Sequence, residues 1–409
     1  MHSLLIIGKV WPESTTTGAG VRMMQLIHSF KNSGYTITFA STAQKSDHSE
    51  DLTKLGVETV IIELNSDSFN VFLRQLQPAI VMFDRFTTEE QFGWRVEEEL
   101  PDSLRILDTE DLHFLRSARE IVFKKVGFPY SLDQTLEEVF KLDITYREIA
   151  ALLRCDVNLI ISEFELHLLK EHFPVPESQL YYLPLLPTGD YMKLDFSQRK
   201  DFIFAGNFLH HPNKDAVCYL TTLWPSIKRL IPDANLRIYG AYADESLRQL
   251  HNPTKGFHVL GWVENLSTVL EQSRVLIAPL RFGAGLKSKI LESFGAGTPV
   301  ATTPIGAEGI GHITDFGGVI GVCDSQWIDQ LAQLYCSEEQ WTITQTKGLQ
   351  IISSRFQGEE LKELPTWLNQ IVFNPNEHRK HLFLQKLLQH ETLKSTKYLS
   401  KWIMEKNKV

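Results

Sequence analysis

The sequence predicts an α/β protein built from two doubly wound, Rossmann-like domains in series. Three observations carry this. Short apolar runs alternate with amphipathic segments along most of the chain. Most of the runs are continuously apolar, which suits parallel strands covered by helices on both faces. A turn-rich break interrupts the alternation near its middle, and the same pattern then restarts.

In the first half the strand candidates are residues 4–8, 36–40, 59–64, 80–84, 105–108, 158–162 and 180–183. They are rich in Val, Ile, Phe and Tyr, which suit a pleated, covered surface. Helix-like segments lie between them, for example 21–32, closed by Gly34. The break is Pro184-Leu-Leu-Pro-Thr-Gly189, followed by the polar Ser197-Gln-Arg-Lys-Asp201, a composition that suits a hinge. Strands resume at 202–205, 235–239, 258–260, 275–279 and 300–302. After Phe373, Asn374-Pro-Asn376 leads into one long helical pattern. The expected units are therefore residues 1–190, 200–373 and 374–409.

Composition narrows the function classes. At 409 residues the chain is too long for one ordinary core. Its 43% hydrophobic and 22% charged residues make a globular protein, not a disordered one. A net charge of -9 gives no global attraction to nucleic acid or to an anionic membrane. Cys155, Cys218, Cys323 and Cys336 form no Cys-x-x-Cys pair and no zinc-spaced cluster, so they read as small buried hydrophobes in a reducing compartment. The start lacks a basic segment before its short apolar run, and no stretch approaches the ~18 apolar residues of a membrane span. The expected location is the cytoplasm.

The most informative stretch follows the strand at 275–279: Leu280-Arg-Phe-Gly-Ala-Gly-Leu-Lys-Ser-Lys-Ile-Leu-Glu-Ser-Phe-Gly-Ala-Gly-Thr-Pro-Val300. Gly283 and Gly285 let backbone turn sharply and approach a ligand. A helix beginning near Leu286 aims free N–H groups and the positive end of its dipole at that loop. Arg281 and Lys287 add full charges. These features make a diphosphate site. Glu292, further along the helix, can accept two hydrogen bonds from a ribose diol. The alternative is a surface turn whose glycines merely fit it.

At these residues the chain resembles the large retaining glycosyltransferase family four, and within it the bacterial branch carrying Pro-Leu-Arg-x-Gly-x-Gly-x-Lys-x-Lys. The likeness continues through Thr303-Pro-Ile-Gly-Ala-Glu-Gly309, and includes Gly206-Asn207, His211-Pro212-Asn213 and Gly261-Trp-Val263. It spans roughly residues 200–370, and is weaker in the first half. The resemblance implies the GT-B fold, with two domains facing across a cleft and a final helix crossing back to the first domain. It implies a nucleoside-diphosphate sugar as donor co-substrate, no metal and no other cofactor. Glu292 would bind the ribose, Lys287 and Arg281 the diphosphate, and Gly206 and Asn207 would lie on the donor side. The 306–309 loop, with Gly306, would lie near the donor sugar. Many relatives carry a second Glu eight positions before the ribose Glu; here that position is Ala284, so the sugar contact falls to Glu308 or to backbone.

On the other side of the expected cleft, Trp11-Pro-Glu-Ser-Thr-Thr-Thr-Gly-Ala-Gly-Val-Arg22 leads from the first strand into a helix. It lacks the Gly-x-Gly-x-x-Gly order, which disfavours a dehydrogenase. By resemblance Gly18, Gly20 and Arg22 face donor phosphates or acceptor, while a turn with a solvated Arg is the bland alternative. Asp108-Thr-Glu-Asp-Leu-His113 follows a strand, where this fold keeps its chemistry. His113 and Asp111 are the candidates for positioning an acceptor hydroxyl or touching the sugar. Ser162 with Glu165 reads as a capping box. No Asp-x-Asp occurs to hold a divalent cation.

The expected activity is transfer of a sugar with retention to a saccharide or lipid-linked acceptor, in surface polysaccharide or glycoconjugate synthesis. A nucleotide-sugar epimerase and a non-catalytic nucleotide-sugar binding protein are the alternatives. No nucleic-acid partner is expected. The tail from His378 onward is basic and amphipathic. It reads first as a helix docked on the first domain with its lysines outward, and second as a peripheral membrane contact.

Overall fold

The computed structural model describes residues 3–189, 191, 194–391 and 393–406. Its first sheet contains β1 (Ser3–Gly8), β2 (Thr36–Ser41), β3 (Glu58–Ile61), β4 (Ile80–Asp84), β5 (Leu104–Asp108), β6 (Val157–Ile160) and β7 (Leu180–Tyr182). All are parallel, in the order β3-β2-β1-β4-β5-β6-β7. The second contains β8 (Lys200–Ala205), β9 (Leu236–Tyr239), β10 (Phe257–Gly261), β11 (Ser273–Ala278), β12 (Val300–Thr302) and β13 (Gly318–Ile320). It is also parallel, in the order β10-β9-β8-β11-β12-β13. Both are doubly wound, as the alternation of runs predicts.

The two faces of each strand supply different cores. In the first domain Leu5, Ile7, Val81 and Phe83 pack with Phe69, Phe92 and Phe114 on one side. Leu4, Ile6, Ile37 and Met82 pack with Met23, Leu26 and Phe30 on the other. This period of two within a wholly buried run explains why the strands read as continuous apolar stretches. Phe202, Phe204 and Ile277 against Ile203, Leu276 and Ala278 repeat the arrangement in the second domain.

Four expectations need correction. The strand expected at 59–64 stops at Ile61, and β13 had no counterpart among the candidates because Gly318-Val-Ile320 is too short to show a period. The return to the first domain starts earlier than residue 374. Leu364, Leu368 and Ile371, on the helix Glu359–Phe373, are part of the first domain's core. Among the described residues the expected long final helix is broken at residues 380–382, after Pro375–Arg379, with Phe383–Glu391 and Leu393–Lys406 helical beyond the break.

The tail is docked by polar bonds as well. Arg379 donates to both oxygens of Asp156 at 2.7 Å, and Asp156 also accepts from Gln385 at 2.8 Å and from the Arg105 N–H at 2.8 Å. Further on, Ser400 bonds Asn65 at 2.8 Å and Lys397 bonds Glu98 at 2.7 Å. All four cysteines are free, but only Cys155 and Cys323 are buried as expected; Cys218 and Cys336 are exposed. Among the described residues, no helix is long and apolar enough to cross a membrane.

Candidate active site between the two domains

The carboxyl ends of both sheets face one another across a cleft with a cavity of about 560 Å³, within the usual range for a small-molecule site. On the second domain's wall, Gly283, Ala284, Gly285, Lys287, Ser288, Lys289 and Glu292 line it. The helix Ser288–Gly295 begins there with no side-chain cap, so its first N–H groups and positive dipole end are open to an anion. Gly285 has φ +66°, and a Cβ on it would stand 2.8 Å from Asp111 Cβ. The loop therefore needs glycine for both its turn and its approach to the facing domain.

The two lysines are held differently. Lys287 is buried and donates to Gly285 O at 2.6 Å, and burial lowers its pKa. Lys289 bonds Asn213 Oδ1 and lies over the Phe204 ring. Burial, then the neighbouring Lys287, pull its ammonium down to about 7. Both are poised to gain from an anion. Glu292 accepts from Thr188 N and Oγ1 at 3.3 Å and from the Tyr191 hydroxyl, so the linker between the domains occupies its carboxylate. Burial raises its pKa, against those bonds. A ribose binding here would exchange hydrogen bonds with the linker.

The opposite wall holds Lys9, Thr15, Thr17, Gly18, Arg85, Glu110, Asp111, His113 and Arg116, with Gly206, Asn207 and His210 between. The His113 N–H donates to Glu148 Oε1 at 3.1 Å and the Phe114 N–H to Glu148 Oε2 at 2.8 Å, so a buried carboxylate from another helix caps the helix His113–Val126. The His113 ring stands edge-on to Phe86, with Nε2 3.5 Å from Asp111 Oδ1. Burial takes its pKa to about 3, although Asp111 opposes this; the ring is neutral near pH 7. Asp111 is also bound by Arg116, which keeps its carboxyl well below the usual range despite burial.

Several candidate residues lie elsewhere. Arg22 is 1% exposed, pairs with Asp108 at 2.8 Å and donates to Leu183 O. It fastens the end of β5 rather than lining the cleft. Gly20 abuts the Glu13 backbone. Arg281 turns to Asp215, with bonds of 2.9 and 2.6 Å, and lies over the Phe123 and Tyr219 rings. It does not line the cavity. Gly306 packs on Thr302, and Glu308 is engaged by Arg119 at 2.7 and 2.6 Å, away from the cavity lining.

The capping-box reading of Glu165 fails. Ser162 makes no side-chain cap bond, and Glu165 is 1% exposed. Its Oε1 accepts the Leu112 N–H at 3.1 Å and the Gly285 N–H at 2.8 Å. Burial, then Asp111, push its carboxyl up to about 7. Arg119 complements it by donating to Gly283 O at 2.8 Å. The glycine loop of one domain is thus held at both ends by buried side chains of the other. Sequence spacing showed none of this.

Residues 199–336 match the family described as glycosyl transferases group 1. That stretch is a glycosyltransferase domain. The whole chain is similar to sucrose-phosphate synthase from Thermosynechococcus elongatus, with a TM-score of 0.64 at 13% identity over 92% of this chain and 100% of that one. It is similar to HepE from Anabaena, solved with UDP and glucose, with a TM-score of 0.61 at 10% identity over 90% and 100%. For WaaG, a glycosyltransferase involved in lipopolysaccharide biosynthesis, the TM-score is 0.58 at 13% identity over 91% and 100%. At such identities the likeness establishes the fold, which is GT-B. No curated protein matches the sequence. The glycosyltransferase domain contains Gly283, Lys287, Lys289 and Glu292, and the remainder of the chain supplies the facing wall.

Proposed function

We propose that the chain transfers a glycosyl group from a nucleoside-diphosphate sugar, held on the second domain, to a saccharide acceptor presented by the first. The observation that carries this reading is the uncapped helix start at Ser288 with its glycine loop, Lys287 and Lys289, all opening on the cavity opposite His113 and Asp111. The transfer is read as retaining. The bond from the anomeric carbon to the diphosphate oxygen breaks, the acceptor oxygen bonds that carbon on the same face, and its proton passes to the departing diphosphate. The helix terminus and both lysines stabilise the charge that develops. Neutral His113 is placed to hydrogen-bond a sugar or acceptor hydroxyl. The fixed cations take the part a divalent metal plays elsewhere, so the reaction is read as metal-independent.

Release of free nucleoside diphosphate is expected only when donor and acceptor are both present, and at an unchanged rate in excess chelator. Release without acceptor, or conversion of the donor sugar alone, overturns transfer in favour of hydrolysis or epimerisation. Loss of activity in chelator with rescue by Mg²⁺ overturns the metal-free reading.

The docked tail fits a cytoplasmic enzyme that meets lipid-linked acceptors in polysaccharide or glycoconjugate synthesis. Phe383, Tyr398 and Trp402 are 73%, 65% and 59% exposed, and Lys386 and Lys401 lie on the same tail. Such a surface suits an anionic bilayer. Wild type should co-sediment with anionic vesicles more than with neutral ones, and the Phe383→Ser/Trp402→Ser variant should not. Equal sedimentation of both proteins removes the membrane contact.

A further inference from the structure

Three cations stand at the ends of three adjacent strands of the first domain. Lys9 follows β1, Arg85 follows β4, and Arg116 lies in the first turn of the helix after β5. The strand order reverses between β1 and β4, and the crevice at such a reversal is where doubly wound sheets take ligands. All three residues line the cavity. They belong to a different domain from Lys287 and Lys289, which the donor diphosphate would occupy.

The cluster is under-neutralised. Arg116 pairs with Asp111. Arg85 reaches Asp84 Oδ2 at 3.4 Å, and the same oxygen accepts the Lys9 N–H at 3.0 Å. Among the described residues, no carboxylate lies within ion-pair distance of the Lys9 ammonium. Partial desolvation, then repulsion from Arg85, lower its pKa, although the residue is exposed. A further carboxyl of the cluster, Glu110, faces Arg85; it is 9% exposed, lines the cavity, and has Oε1 without a partner. Burial and Asp108 push it up to about 8, which keeps it neutral near pH 7.

The backbone is shaped to this end. Arg85 has φ +69° and Glu110 φ +63°, a region unfavourable for residues with a Cβ and one that clusters at ligand sites. The Arg85 N–H is tied to Asp108 O at 2.8 Å, which fixes the conformation.

We propose that Lys9, Arg85 and Arg116 bind an anionic group of the acceptor, a phosphate or a carboxylate, so that the acceptor is a charged saccharide. The word acceptor rests on the transferase reading above; the anion site does not.

The test is calorimetric titration of the full chain, saturated with uridine diphosphate, with glucose 6-phosphate, glucuronate and glucose. At least one charged sugar should bind about tenfold or more tightly than glucose, as charge-assisted hydrogen bonds require. Lys9→Met and Arg85→Gly should each lose about tenfold of that affinity while keeping nucleotide affinity. Glycine at position 85 accepts the positive φ, so the fold is retained. Preference for the phosphate or for the carboxylate identifies the group. Equal binding of glucose, or unchanged binding in both variants, overturns the proposal. If uridine diphosphate does not bind at all, the donor reading is what fails, and the sugar titrations without nucleotide still decide the anion site.

Discussion

Arg119→Met should lower turnover by about a hundredfold while changing nucleotide affinity by only a few-fold. The Arg119 side chain is 2% exposed, and it joins the first domain to two points of the second, the Glu308 carboxylate and Gly283 O. Removing one partner of a buried ion pair costs about 3–5 kcal/mol, because the other charge is left uncompensated. Here that cost falls on the contact that sets the first domain against the second, so the arrangement of the two cleft walls is what suffers. Arg119→Lys keeps the charge but cannot make the planar two-bond contact, and should recover only part of the rate. The Arg119→Met/Glu308→Gln double variant should be less impaired than the two single effects combined, since they share one interaction. Steady-state kinetics separate the terms: wild-type turnover in Arg119→Met would show that this bridge does not hold the reacting geometry.

Nucleoside diphosphate binding should weaken as pH rises above 7, and should take up protons. With its ammonium held at about 7, Lys289 is only partly protonated at neutral pH. A diphosphate favours the charged form and raises the pKa of the bound state. The sign follows: affinity is greatest below pH 7 and falls about tenfold per unit until the bound-state pKa is reached. Lys289→Met should bind about 10- to 100-fold more weakly at pH 6.5, the worth of one charge-assisted bond, and its affinity should be nearly flat with pH. Calorimetry of uridine diphosphate binding in buffers of different ionisation enthalpy measures the uptake. Identical uptake in Lys289→Met would assign the proton to another group, and the loss of affinity alone would then say nothing about Lys289 titration.

What could be read in the chain before its structure divides by distance along it. The glycine loop, Lys287, the helix start and Glu292 lie within one short segment, so spacing alone places them on one wall. Arg22 and Arg281 look like ligand cations beside glycines because their partners, Asp108 and Asp215, are 86 and 66 positions away. Glu165 is the sharper case. Its three-residue spacing from Ser162 is the local signature of a cap, yet its carboxylate serves N–H groups 53 and 120 positions away. Lys9 and Arg85 meet only because β1 and β4 are neighbours in the sheet. Strand existence was legible because each run is covered on both faces. β13 was not, since its few residues carry neither period nor length.

The helix Glu359–Phe373 also sets an order of assembly. Leu364, Leu368 and Ile371 complete the apolar layer over Met23, Leu26 and Phe30. During synthesis the last strand of the first sheet is made roughly 180 residues before them, which at about 5–20 residues per second is on the order of ten to forty seconds. Throughout that interval the nascent first domain exposes a hydrophobic groove that only its own distant sequence fills. The first domain therefore does not mature as an independent unit: its apolar layer is completed only by residues translated after the second domain.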